Sequence, residues 1–102
     1  MGSLRLYDQS DKIGEAMLKV IKFSAVWCPP CRMLQPIWDQ LVDEIHDVEF
    51  EMVDIDQDSK TTSKYGIKAV PTIVFVKNGK MVDSMLGVSS EKDLKDRIEG
   101  LK

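Results

Sequence analysis

Apolar residues along this chain fall by turns into strand-like runs and helix-spaced stripes. Leu4 to Tyr7 reads as a short strand. Asp8 to Ser10 caps a helix reaching about Leu18, with Ile13, Ala16 and Met17 on its inner face. Lys19 to Val26 reads as a buried strand. From about Pro30 to His46, Met33, Leu34, Ile37, Leu41, Val42 and Ile45 recur at helical spacing. Pro36 lies inside that helix, where its ring removes a backbone donor, and a kink is expected there. Val48 to Ile55 is a strand ended by Asp56-Gln57-Asp58, and a short helix covers Ser59 to Tyr65. Thr72 to Lys77 and Lys80 to Leu86 pair through a tight Asn78-Gly79 turn. Ser90 with Asp93 resembles a capping box for a last helix ending near Leu101. The order β-α-β-α-β-α-β-β-α implies an α/β fold. Its mixed sheet of about five strands is flanked on both faces by four helices, with right-handed parallel crossovers.

Size and charge narrow the possibilities. With 102 residues, 43% of them hydrophobic, residues 1–102 read as one domain whose core needs no disulfide staples. Net charge is −3, from 14 basic and 17 acidic residues without long like-charged runs, which argues against nucleic acid or an anionic membrane as partner. The apolar stretches are strand-sized, too short to span a bilayer. Met1 to Leu6 lacks the apolar core of a signal peptide, and Leu6 stands where a myristoylation motif wants Ser or Thr. A reducing, cytoplasmic setting and a monomer are expected.

The chemistry concentrates in Trp27-Cys28-Pro29-Pro30-Cys31, which holds both cysteines of the chain where a strand gives way to a helix. A pair three residues apart closes too short a loop to restrict the unfolded chain much. A zinc site needs about four ligands, and only a distant His46 could add to the two thiols. Electron exchange with disulfides is the economical use. Thiolate, not thiol, attacks a disulfide. Cys28, just before the helix on the solvent side of the turn, gains from unpaired N–H groups and the positive helix end, and is the expected nucleophile. Cys31, one turn inward, is the expected resolving cysteine, which attacks Cys28 and releases the reduced substrate. Pro30 suits the first helical position.

These residues, with Pro36, Asp54-Ile55-Asp56, Tyr65 through Thr72, Lys77-Asn78-Gly79-Lys80 and Gly87, resemble the thioredoxin family from Leu4 to Leu101. The resemblance implies the thioredoxin fold and a dithiol–disulfide oxidoreductase in cell redox homeostasis. It implies disulfide-containing protein substrates and no bound cofactor. Electrons would come from NADPH through a separate, flavin-dependent, thioredoxin reductase-like donor. It further implies that Pro71 is cis and faces the cysteines. The Val70 backbone would pair with an extended substrate strand, and Trp27, Pro29, Pro30, Val70, Pro71, Gly87 and Val88 would form the docking surface. Gly87 would permit close approach. Pro29 replaces the commonest glycine. It removes a possible donor to the Cys28 anion and stiffens the loop, so the protein is expected to be at least as reducing as a C-G-P-C relative.

The chain departs from the family where a buried aspartate usually assists the second cysteine. That position is Lys22, and Met52 replaces the neighbouring lysine. Lys22 shares a strand face with Val20 and Ser24, which suggests partial burial. Three roles stand open. Its ammonium snorkels to solvent, it pairs with Asp54, or its neutral amine takes the proton of Cys31 as a catalytic group. Ser24 and Val26 replace an aromatic and an acid common in the family. His46 reads as a solvated cap, Trp38 as scaffold, and Met33, Met52, Met81 and Met85 as packing residues. Rival readings are a disulfide oxidase or isomerase, and a non-catalytic thioredoxin-fold binding subunit.

Overall fold

The computed structural model describes residues 17–102, so the expected first strand and most of the first helix lie outside the described residues. Strands β1 (Lys19–Ser24), β2 (Glu49–Asp54), β3 (Thr72–Lys77) and β4 (Lys80–Leu86) form a mixed sheet in the order β2-β1-β3-β4. Helices α1 (Pro29–Glu44), α2 (Ser59–Lys64) and α3 (Glu91–Leu101) complete the described chain. Strand and helix bounds fall within two residues of those expected. β1 pairs parallel with β2, in register Lys22↔Met52, and antiparallel with β3, in register Lys22↔Ile73. A parallel pair needs a long crossover, and α1 supplies it.

The strand alternation sorts the core into two layers. Val20, Ile73 and Phe75 meet Leu34, Trp38 and Leu41 of α1 and Leu94 and Ile98 of α3. On the opposite face Ile21, Phe23, Val53, Val74 and Val76 are covered by Tyr65, Ile67 and Val70, which follow α2. Trp38 packs edge-on to Phe50 at 5.3 Å, and its scaffold role is seen in its burial. Asn78 (φ 55°) and Gly79 (φ 79°) occupy the left-handed region that a two-residue hairpin turn requires.

α1 continues through Pro36 as one element. Ser90 caps α3 by accepting from Asp93 N at 3.1 Å. Arg97 to Asp83 ties α3 to β4, and Lys95 pairs with Glu44 across α3 and α1. His46 is exposed, its Nε2 2.8 Å from the Asp43 carbonyl just past the end of α1. One expectation is corrected here. Met33, Met52 and Met81 are exposed, and only Met85 of the four packs on the core, because the inner stripe of α1 runs through Leu34, Trp38 and Leu41 and leaves Met33 outside it. Among the described residues no helix is long and apolar enough to cross a membrane.

Candidate active site

The site forms where β1 ends and α1 begins. Cys28 is the N-cap of α1, in extended conformation, and Pro29 and Pro30 are the first two helical residues. The helix therefore starts one residue earlier than the sequence suggests, with Pro29 rather than Pro30 at the first position. A capping side chain usually accepts from the second or third helical N–H. Pro30 has none to give, so Cys31 N donates to Cys28 Sγ at 3.3 Å. The donor missing at the second position is thus Pro30's, and the effect of Pro29 is mainly to fix the backbone. Cys28 N to Ala25 O at 3.2 Å and Arg32 N to Cys28 O at 3.3 Å close the turn on either side.

Both cysteines are free thiols, and each is only 4% exposed. For Cys28 this corrects the expectation of a solvent-facing sulfur. Its side chain packs in a cluster with Ala25 and Cys31, bordered by Ile55 and Val70, and its thiol points at the Val70 carbonyl 3.8 Å away. The Val70–Pro71 bond is cis and Pro71 is buried. The loop before β3 thus lies against the cysteine turn, which is what covers the sulfur.

The rim of this contact is apolar and open. Trp27 is 61% exposed, and Pro29, Pro30 and Val88 are also exposed. Trp27 does not swing freely, because its Nε1 donates to Asp56 Oδ2 at 2.7 Å. Asp54 Oδ1 in turn accepts from Asp56 N at 2.9 Å and shapes the turn that presents Asp56. Gly87 donates its N–H to Pro71 O at 2.8 Å, which joins it to the cis-proline loop. Its φ of 88° is the reason for glycine here, since an added Cβ would meet nothing within 4 Å.

Lys22, 1% exposed, lies near enough for its charge to act on Cys31. It neither reaches solvent nor pairs with Asp54. Its amine donates to Gln35 Oε1 and lies 5.5 Å from the centre of the Trp38 ring. Gln35 Nε2 donates onward to Asp39 Oδ1 at 2.8 Å. Burial pulls Lys22 below the usual lysine range, while Asp39 and Cys31 oppose that shift. Burial pushes the Cys31 thiol up, its hydrogen bond with Cys28 adds to this, and Lys22 pulls the other way. A cleft of about 180 Å³ opens beside Cys31, lined among others by Ser24, Arg32, Gln35 and Asp54. Gln35 and Asp39 escaped the sequence reading, and Asp56 entered it only as a strand end and family landmark, without its bond to Trp27. The usable signal for Gln35 was its place one helical turn after Cys31.

A buried dithiol at a helix start, set against a cis-proline loop at the end of a mixed sheet, defines a thiol-disulfide oxidoreductase of the α/β class. The thioredoxin profile matches residues 7–100. A thioredoxin of Gallus gallus is 36% identical over 101 residues, covering 99% of this chain and 95% of its own. Thioredoxin H4 of Arabidopsis thaliana is 41% identical over 92 residues, 88% of this chain and 76% of its own. The crystal structure of Fasciola hepatica thioredoxin superposes with a TM-score of 0.82 at 39% identity, covering 95% of this chain and 91% of that one. The chain belongs to the thioredoxin family, and it is a protein-disulfide oxidoreductase.

Proposed function

We propose that this chain is a cytoplasmic, monomeric protein-disulfide reductase of the thioredoxin type, serving cell redox homeostasis. Cys28 attacks one sulfur of a substrate disulfide and forms a mixed disulfide. Cys31 then attacks Cys28, releases the substrate thiolate and leaves the Cys28–Cys31 disulfide. Regeneration draws electrons from NADPH through a separate reductase, with no cofactor bound to this chain. An extended substrate segment lies along Val70, with Trp27, Pro29, Pro30, Pro71, Gly87 and Val88 as the apolar surround. Lys22 takes up the Cys31 proton.

The observation that supports this most is the pairing of the Cys28 thiol with the Val70 carbonyl next to cis-Pro71. A strand that adds to the Val70 backbone brings its own disulfide to that sulfur. The test is reduction of insulin, first with dithiothreitol and then with a thioredoxin reductase and NADPH. Turnover in both arms is expected. Turnover with dithiothreitol alone would reject the proposed electron donor, and turnover in neither would reject the reading.

The W-C-P-P-C turn is also proposed to make the protein at least as reducing as a C-G-P-C relative, tested by equilibration with glutathione. Pro30, which a C-G-P-C turn shares, sets the donor count separately, and Pro30→Ala should make the protein less reducing. It restores the N–H from which an N-cap side chain accepts, and so favours the dithiol form. One charge-assisted hydrogen bond is worth about 1.5 kcal/mol, so the midpoint potential should rise by roughly 30 mV. An unchanged or more negative potential would show that donor count does not set the balance.

A further inference from the structure

Gln35 lies one turn beyond Cys31 on the same stripe of α1, and its amide meets two groups of opposite character. The Lys22 amine donates to its Oε1, and its Nε2 donates to Asp39 Oδ1 at 2.8 Å. Together the two bonds decide the amide's orientation, oxygen inward and nitrogen outward. Gln35 also borders the cleft at Cys31. The Trp38 ring face, 5.5 Å from the amine, attracts a cation. A carbonyl, a π face and a carboxylate one amide away all favour an ammonium at Lys22. Cross-strand Met52 and Ile73 carry no charge, so among the described residues Asp39 and Cys31 are the ionisable groups acting on it.

Building on the role of Lys22 given above, we propose that Gln35 is a positioning residue for the resolving step. With Asp39 behind it, Gln35 stabilises the ammonium that Lys22 becomes on taking the Cys31 proton. In that step the Cys31 S–H bond breaks as an N–H bond forms, giving an ammonium–thiolate pair with no net change in charge. The thiolate's electron pair then makes the Cys31–Cys28 bond. The bond between Cys28 and the substrate sulfur breaks, and its electrons leave with the substrate thiolate. That thiolate takes the proton from Lys22. The dithiol gives up two electrons and the substrate disulfide gains them. Burial disfavours both charged members of that pair, so the ammonium depends on the Gln35 carbonyl and the Trp38 face.

Stopped-flow reaction with an aromatic disulfide that releases a coloured thiolate separates the two steps. The first release depends on concentration and reports Cys28. The second does not, and reports resolution by Cys31. Gln35→Leu should slow the second release about tenfold at neutral pH, the worth of one hydrogen bond to a charged group, and move its pH midpoint downward, since the lysine then holds its proton less tightly. Asp39→Asn should give a smaller change of the same sign. Gln35→Glu should restore the rate, and the first release should stay as in the parent throughout. In a Lys22→Met background Gln35→Leu should add nothing. If Gln35→Leu and Asp39→Asn resolve at the parent rate and midpoint while Lys22→Met is slow, Gln35 has no such role and that of Lys22 stands. If Lys22→Met also resolves at the parent rate, the role of Lys22 fails and this proposal with it.

Discussion

Replacing Cys28 by serine should reduce insulin reduction to the uncatalysed rate, whereas replacing Cys31 by serine should leave a protein that reacts once and stops. The two outcomes differ because the two sulfurs have different surroundings. Cys28 faces the Val70 carbonyl beside the cis-proline loop, and Cys31 is one helical turn on, within reach of the Lys22 charge. A serine hydroxyl at Cys28 cannot attack a disulfide under these conditions. On the proposed roles, a serine at Cys31 leaves the attack intact but removes the group that displaces the captured substrate. Mass spectrometry of the Cys31→Ser reaction should show a stable adduct of one substrate per chain on Cys28. A Cys31→Ser protein that turns over repeatedly, or a Cys28→Ser protein that retains activity, would reverse the assignment.

Lys22→Met should make the folded protein more stable, by about 1–3 kcal/mol near neutral pH, while slowing disulfide exchange. Folding either buries the Lys22 ammonium or strips its proton, and both cost free energy that an apolar side chain of similar volume avoids. Lys22 is 1% exposed, it shares no ion pair with a described residue, and Met52 and Ile73 flank it across the sheet. In a small domain such a gain raises the melting temperature by roughly 4–8 °C per kcal/mol. The pH dependence gives a second check. Burial sets the Lys22 value in the folded state below its unfolded 10.5, so between those two values the unfolded chain binds more protons. Stability of the parent therefore rises with pH across that window, and the penalty is fully present below it. The advantage of Lys22→Met should be largest at neutral pH and shrink toward pH 10.5. Urea denaturation along a pH series measures both. A destabilised variant would mean that the contacts with Gln35 and Trp38 outweigh burial.

Much of this architecture is legible in local signals. Asn78-Gly79, flanked by apolar runs, locates the hairpin, and the Ser90 cap locates the start of α3. The cysteine turn was equally visible, because two cysteines at that spacing beside a strand leave few other uses. What escaped depends on long-range packing. Helical spacing cannot tell that Met33 falls outside the stripe of Leu34, Trp38 and Leu41. Nor can it show the cis-proline loop closing over Cys28, since Val70 is 42 residues away in sequence. Lys22 is the clearest case. Its alternation within β1 points it inward, but the partners that keep it there, Gln35 and Trp38, come from another element and leave no mark next to it in the chain.

Because Cys28 is almost wholly covered, docking along Val70 as proposed would make the protein selective before any bond is made. On that proposal a partner's disulfide arrives on a peptide segment loose enough to lie along Val70, and bridges inside rigid turns wait for their own local opening. Ranking a set of bridged proteins by hydrogen-exchange opening at the bridge should reproduce the order in which they are reduced.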